Sequence, residues 1–495
     1  MEHESHKEEL DMNTKGELGG LLFATKMALG GAIGFEIFQY LGLAYTALGG
    51  SEGGSAVVSA LLISGILNIL TMLSYCELSA ILPEEGGEYI YAKAAFGGFI
   101  AFSAGCVRWL SSVMGGALAA LIFAEQLHRF FLPLFMQLTG ISTAELILAP
   151  SPDMVLAIAT IGIIAILTMV SVRGTKKLGT LVLILIIIIF AIFVLKGSLH
   201  LQETSDLKPP KEVLFGIENM PGFFLAMTLM LQPFLGMRAL VAGVSRMEKP
   251  EKNVPKALIL STLLLMLVYG CVAYVAVSAL SVNQNNDLIA DEPSLLLNLA
   301  ADKVILPDTI HVGAILMALV AIVACISAIR TSLMVQSSIL RGMSRDRYLP
   351  KILLSDHRDF ETPYTAIIAS SLFIIAFSVF GVRLRRESLA YAAALFSILG
   401  FALVNLSVIA LRKREPYRYR PFKIPLYPIP PIAGIVVSFG LFASRFLTTE
   451  VSAIDMHAVG FLLILVLLAY YLRMVGRDRL KVAVGGISLG IGTFG

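Results

Sequence analysis

Apolar positions along the chain gather into long runs separated by short polar punctuation. Crossing about 30 Å of hydrocarbon takes roughly 17–25 residues as a helix. Runs of that length fall near 21–47, 56–80, 98–125, 153–172, 178–197, 221–243, 257–280, 311–338, 364–381, 388–411, 429–447 and 456–474. The expected class is an all-α membrane protein with twelve transmembrane helices. Between the seventh and eighth runs lies a longer segment, 282–310, where a leucine run follows Pro293-Ser294. That start signal predicts a short amphipathic helix, read here as a surface cap. The last fourteen residues, "VAVGGISLGIGTFG", are too short and too glycine-broken for another span.

Composition agrees with the pattern. The 495 residues are 57% hydrophobic and only 15% charged, with a mean hydropathy of +0.82. Soluble domains run nearer 45–50% apolar and about 25% charged, so the lipid bilayer is the expected solvent and partner. A net charge of +3 gives no basic face for nucleic acid, and no nucleic-acid partner is expected. Lys and Arg instead set orientation. With an N-terminus inside, the inner segments carry 25 of them and the outer loops 7, counting Arg473 with the C-terminal tail. The positive-inside rule then places both termini in the cytoplasm of a multi-pass plasma-membrane protein. The polar start "MEHESHKEELDMNTKGE" reads as a retained tail and not a signal peptide.

Chemistry of other classes is missing from the spans. The four cysteines, Cys76, Cys106, Cys271 and Cys325, fall in apolar runs without metal-type spacing. No histidine lies mid-span, so no metal centre is expected. Neither a phosphate-binding G-x-x-x-x-G-K-[ST] loop nor a catalytic Ser/His/Asp set occurs. The expectation is a non-enzyme without a cofactor.

Charges and helix breakers single out two spans. In "GGAIGFEIFQYLG", Glu36 stands mid-run among Gly30, Gly31 and Gly34; in the sixth run Pro233 and Gly236 precede Arg238. Glycine and proline weaken a helix, and irregular backbone at membrane depth belongs where it lines a cavity. A charge at the bilayer centre costs about 2.5–3.5 kcal/mol on insertion scales, so these two point to a site or to each other. Gly34 and Gly236 are 202 positions apart, as are Glu36 and Arg238.

The stretches "GGAIGFEIF", "YCELSAILPEEGGEYIYAKAAFG", "PFLGMRALVAGVSRMEKPEKNVPKAL", "GMSRDRYLPKIL" and "LRKREPYRYRPFKIPLYPIPPI" occur in that order. Together they resemble the amino acid–polyamine–organocation permease family. The resemblance implies a five-plus-five inverted repeat with two peripheral helices: 18–198 holds spans 1–5, 199–411 holds spans 6–10, and 412–476 holds spans 11–12. Cytoplasmic tails of 1–17 and 477–495 flank them. It also implies a secondary transporter for amino acids or related small amines, working by alternating access. A non-transporting nutrient sensor of the same fold is the alternative.

In that fold the substrate lies at breaks in spans 1 and 6. Carried over, the implied substrate residues are Ala32, Ile33, Gly34 and Glu36 with Gln232, Phe234, Gly236 and Arg238. Glu36 stands where the family pattern has glycine, and Arg238 where it has glutamate; an Arg238–Glu36 ion pair across the site is the expected consequence. Arg330, Thr331 and Ser332 in span 8 are candidates for the coupling site, the arginine as a fixed cation and the hydroxyls as sodium oxygens. The coupling proton or sodium stays open. Lys26 and Arg108 are candidates for gating or for the vestibule, with snorkelling to the cytoplasm the preferred reading of Lys26. Glu77 is expected to anchor the loop after span 2, and Asn68, Ser111 and Asn405 to make helix–helix hydrogen bonds. Segment 126–152 has no cysteine, so no disulfide-linked heavy chain is expected.

Overall fold

A computed structural model describes residues 20–50, 56–82, 84, 86–134, 152–170, 175–204, 220–238, 240, 247–280, 286–305, 311–357, 362–384, 386–444 and 460. In chain order the helices are α1 (Leu21–Ala32), α2 (Glu36–Ala47), α3 (Val57–Ile81), α4 (Glu88–Phe96), α5 (Gly98–Gln126), α6 (Pro152–Val170), α7 (Thr175–Thr204) and α8 (Met220–Met230). A 3-10 turn, Gln232–Met237, follows α8. Then come α9 (Pro250–Leu280), α10 (Asn286–Asp291), α11 (Leu296–Val304), α12 (Val312–Arg345), α13 (Tyr364–Leu384), α14 (Arg386–Arg414) and α15 (Ile429–Ser444). Every element among the described residues is helical.

Seven helical stretches, α8 counted together with its 3-10 turn, are long and apolar enough to cross a membrane. The helices α1 and α2 meet at a bend of 53°, and counted together as one span they bring the number to eight. Shorter apolar helices at Val155–Met169, Tyr364–Val379 and Ile429–Ser444 match three more runs. The twelfth run, 456–474, lies outside the described residues save Gly460.

The breaks follow from local chemistry. The last hydrogen bond of α1 runs from the Ile33 amide to the Leu29 carbonyl at 2.7 Å. Gly34 and Phe35 then turn the chain, and α2 restarts on the Phe35 carbonyl, which accepts from the amides of Phe38 and Gln39. In span 6, Pro233 lacks an amide proton and opens the 3-10 turn. The two breaks touch: a Cβ on Gly236 would overlap the carbonyl of Gly31, so only glycine allows this approach.

The core is built around α5, which packs on α12, α14 and α13. Small residues permit the approach: Ala117, Ala119, Ala120 and Ala124 are all fully buried. Polar side chains cross between helices as expected. Asn405 on α14 accepts from the Ser74 hydroxyl at 2.7 Å and donates to Thr71 at 3.1 Å, both on α3. Asn68, by contrast, is buried with neither amide atom hydrogen-bonded.

Two sequence expectations are corrected. Within the 282–310 segment, residues 293–305 do not form a surface cap. Leu296, Leu297, Ala300 and Ala301 of α11 are fully buried, and Asn298 exchanges amide hydrogen bonds with Gln126 of α5 at 2.9 and 3.3 Å. An apolar stripe on a nine-residue helix looks alike on a surface and in a core, and the buried amide pair decides between them. Among the described residues, the partners of Glu77 lie beyond span 10 and not in the loop after span 2. Its carboxylate accepts from Arg412 at 2.8 and 2.5 Å and from the Ile424 amide at 2.9 Å, with Arg420 at 3.2 Å. It therefore fastens the segment that follows α14.

Candidate functional site

A cavity of about 110 Å³ opens where the two breaks meet. Its walls come from α1 and α2, the 3-10 turn of span 6, α5, α12 and α14. Of the residues expected there, Ile33, Gly34, Glu36, Gln232, Gly236 and Arg238 line it. Ala32 and Phe234 do not. Ala32 is buried and its carbonyl accepts from the Tyr269 hydroxyl at 2.9 Å; Phe234 is fully buried, its ring end facing Gly65 of α3. Both hold the breaks in place from behind.

Glu36 opens α2, where the positive end of the helix dipole favours a carboxylate. Its Oε2 folds back over Gly34, where any Cβ would collide with it, and has no hydrogen-bond partner. The expected pair with Arg238 is not formed. Arg238 instead donates from Nη1 to Glu88 Oε1 at 2.9 Å, and its guanidinium lies 5.2 Å from the centre of the Phe401 ring. The same Glu88 oxygen is 3.1 Å from Arg108 Nε and accepts from the Tyr75 hydroxyl at 2.7 Å. The reason is reach. Glu36 turns back onto its own break, while α4 delivers Glu88 beneath the arginine.

Glu88 thus carries two guanidiniums on one carboxylate. Burial pushes its carboxyl up, but Arg108, Arg238 and the Tyr75 hydroxyl outweigh this, so the net direction is below the ordinary carboxylate value. Nε and Nη2 of Arg238 are buried without hydrogen-bond partners. The cavity is therefore bounded by a carboxylate on one side and a surplus positive charge on another. Between them Gln232 keeps Nε2 unpartnered, while its Oε1 accepts from Ser397 at 3.3 Å.

The other candidates separate. Arg108 lines the cavity; Lys26 and Arg330 do not, and both are exposed. Thr331 and Ser332 line it, but Thr331 donates to the Ser327 carbonyl at 2.9 Å and Ser332 accepts from Gln336 at 2.9 Å. Ser111, read as a helix–helix contact, is that and more: it bonds Ser397 at 2.8 Å and faces the cavity. Sequence reasoning missed Tyr40, Ser112, Ser397 and, above all, Glu88. Their signal was present as polar groups in apolar helices and a third acid in "PEEGGEY", but nothing in one dimension ranks them.

The model of the family described as "Amino acid permease" matches residues 20–471. Among curated proteins, the chain is 24% identical to the branched-chain amino acid permease BcaP of Bacillus subtilis, over 87% of this chain and 88% of that one. It is 26% identical to the serine/threonine exchanger SteT of the same organism, over 89% and 94%. A polyamine transporter of Oryza sativa subsp. japonica is 24% identical over 82% of this chain and 71% of its own.

Proposed function

The chain belongs to the amino acid permease family, and on that premise we propose that its substrate is a small amino acid or amine whose ammonium pairs with Glu36. Members and relatives of this family are transporters, so the protein is a multi-pass membrane transporter and not an enzyme. The observation that carries the substrate reading is Glu36 itself: a carboxylate on the cavity wall, with Oε2 unpartnered, at the contact of two broken helices. Leaving such a group unpaired is costly, and an ammonium offsets the cost.

The arginines on the same lining bear on the other end of the substrate. Arg108 and Arg238 share one carboxylate, which leaves a surplus guanidinium charge facing the same space. A substrate carboxylate neutralises it, and the Gln232 amide can donate beside it. This supports a zwitterion lying between Glu36 and the arginine pair. Ile33, Gly34 and Gly236 shape the floor.

Transport then proceeds by alternating access, with twelve spans in two inverted repeats, 18–198 and 199–411, followed by 412–476. Support comes from the twelve apolar runs and from two breaks 202 positions apart, at Gly34 and Gly236. Cytoplasmic termini follow from the distribution of Lys and Arg. Thr331 and Ser332 remain the oxygen-bearing candidates for ion coupling.

Thermal unfolding of the purified protein with amino acids, their decarboxylated amines and their deaminated acids tests the reading. A ligand at a hundred times its Kd stabilises by about 2.7 kcal/mol. The expected order is amino acid above amine above acid, with Glu36→Gln lowering the shift by both amino acid and amine. Undiminished shifts in Glu36→Gln refute it. Uptake of the stabilising ligand into proteoliposomes, with and without a sodium or proton gradient, identifies the coupling.

A further inference from the structure

A second cavity, of about 220 Å³, lies at the end of the bundle beyond α2. Gln39, Glu125, Asp291, Glu292, Arg386 and Glu387 line it. Four carboxylates thus face one lining guanidinium. Arg386 lies 3.0 Å from Glu125 Oε2, which also accepts from the Ser294 hydroxyl at 2.5 Å, and Arg129 pairs with Glu292 from outside the lining. The second oxygen of Glu125 has no partner, although the side chain is only 2% exposed. A buried carboxylate with a vacant oxygen on the wall of an acid-lined cavity calls for a cation with hydrogens to donate.

The basin adjoins the central cavity without merging with it. Along α2, Glu36 and Tyr40 face the central space and Gln39 faces the basin. Along α14, Arg386 lines the basin, while Ala393 and Ser397 line the central space. Between them the Tyr40 hydroxyl donates to the Ala390 carbonyl at 3.5 Å. Four residues of helix rise about 6 Å, so a single turn of α14 separates Arg386 from that closure. The roof is fixed: Gly42 lies so close to the Pro293 carbonyl that no Cβ fits between them.

We propose that this basin is a second binding site, taking the ammonium group of a small organic cation at Glu125 and Asp291, one helical turn from the central cavity. The free Glu125 oxygen accepts one N–H, and the neighbouring carboxylates supply the remaining field. Arg386 takes up Glu125 Oε2 at 3.0 Å, which leaves Oε1 for the ligand. A cation held here stands directly above the Tyr40–Ala390 closure, the loading position for Glu36 below. The basin does not depend on the central reading, since none of its residues lines that cavity.

Equilibrium dialysis of the full-length protein with radiolabelled n-butylamine tests it, in a Glu36→Gln background that removes the central carboxylate. Saturable binding should persist in that background, weaken at least tenfold with Glu125→Gln added, and resist competition by n-butanol. Should Glu125→Gln fail to fold, Asp291→Asn carries the test at an exposed position, with a threefold or greater loss expected. No saturable binding in Glu36→Gln, or equal binding with and without the basin substitutions, overturns the proposal. Wild-type and Glu36→Gln protein binding butylamine alike, with loss only through Glu125→Gln, upholds the basin and refutes amine binding at Glu36.

Discussion

Replacing Glu88 by glutamine should destabilise the protein more than any other single loss of charge near the cavity. One oxygen of this side chain takes Tyr75 at 2.7 Å, Arg238 at 2.9 Å and Arg108 at 3.1 Å. The arginines are 6% and 13% exposed, so water screens them little. Breaking a buried pair by removing one partner costs about 3–5 kcal/mol, because the other charge is left uncompensated. Two guanidiniums lose their anion here, which places the expected cost at the upper end, about 5 kcal/mol. Glutamine keeps the shape and one acceptor oxygen, so the loss reports charge and not a cavity. Thermal unfolding in detergent reads the effect, and adding Arg238→Gln to Glu88→Gln should recover a large part of it. Glu36→Gln, whose carboxylate forms no ion pair among the described residues, should leave stability unchanged or raise it. A silent Glu88→Gln, or a double variant no better than the single, refutes the shared-carboxylate account; a large loss in Glu36→Gln would restore the repeat-mate pairing instead.

The pH response of the same cluster has a definite sign. Because the folded Glu88 carboxyl titrates below its ordinary value, its contribution is fully present above the unfolded carboxylate range. It is lost as pH falls through that range towards the folded value, a limb that acid unfolding of Glu88→Gln should lack. Gly236→Ala should abolish uptake, since the added Cβ overlaps the Gly31 carbonyl and must part the two breaks; normal uptake by this variant would refute the contact. Glu77→Gln should cost about 3 kcal/mol, freeing Arg412 and Arg420 together with the Ile424 amide. Arg412 is 19% exposed and retains the face of Tyr427 at 3.9 Å, which keeps the figure low. Asn298→Leu should lower thermal stability by about 1–3 kcal/mol by leaving the buried Gln126 amide without its partner.

Features written in one dimension were legible in the sequence. Glycines and a proline inside apolar runs mark where a helix must stop, and both breaks stand where they fall: at Ile33–Phe35 and at the 3-10 turn from Gln232. A charge in an apolar run marks a cavity wall, and Glu36, Arg108 and Arg238 all line one. Arg330 and Lys26 show the limit of that rule, because long side chains carry their charge away from the helix that bears them. Ser111 shows another limit, since a hydroxyl can satisfy a neighbouring helix and still face the cavity.

Pairing was the illegible part, and Arg238 shows why. A spacing of 202 residues matches its position to that of Glu36, but spacing along the chain leaves each side chain to the nearest opposite charge. That charge is Glu88, 150 residues earlier, brought under the cavity by a short helix with no span of its own. The consequence reaches the substrate. Had Glu36 and Arg238 neutralised each other, the cavity would present no net demand at either end. With Glu88 divided between two arginines and Glu36 in no ion pair among the described residues, one lining carries both signs of charge, and the proposed ligand bears both. The misassigned pair and the proposed preference for a zwitterion therefore share one cause: the residue that takes Arg238 away from Glu36 leaves the Glu36 carboxylate without an ion pair among the described residues.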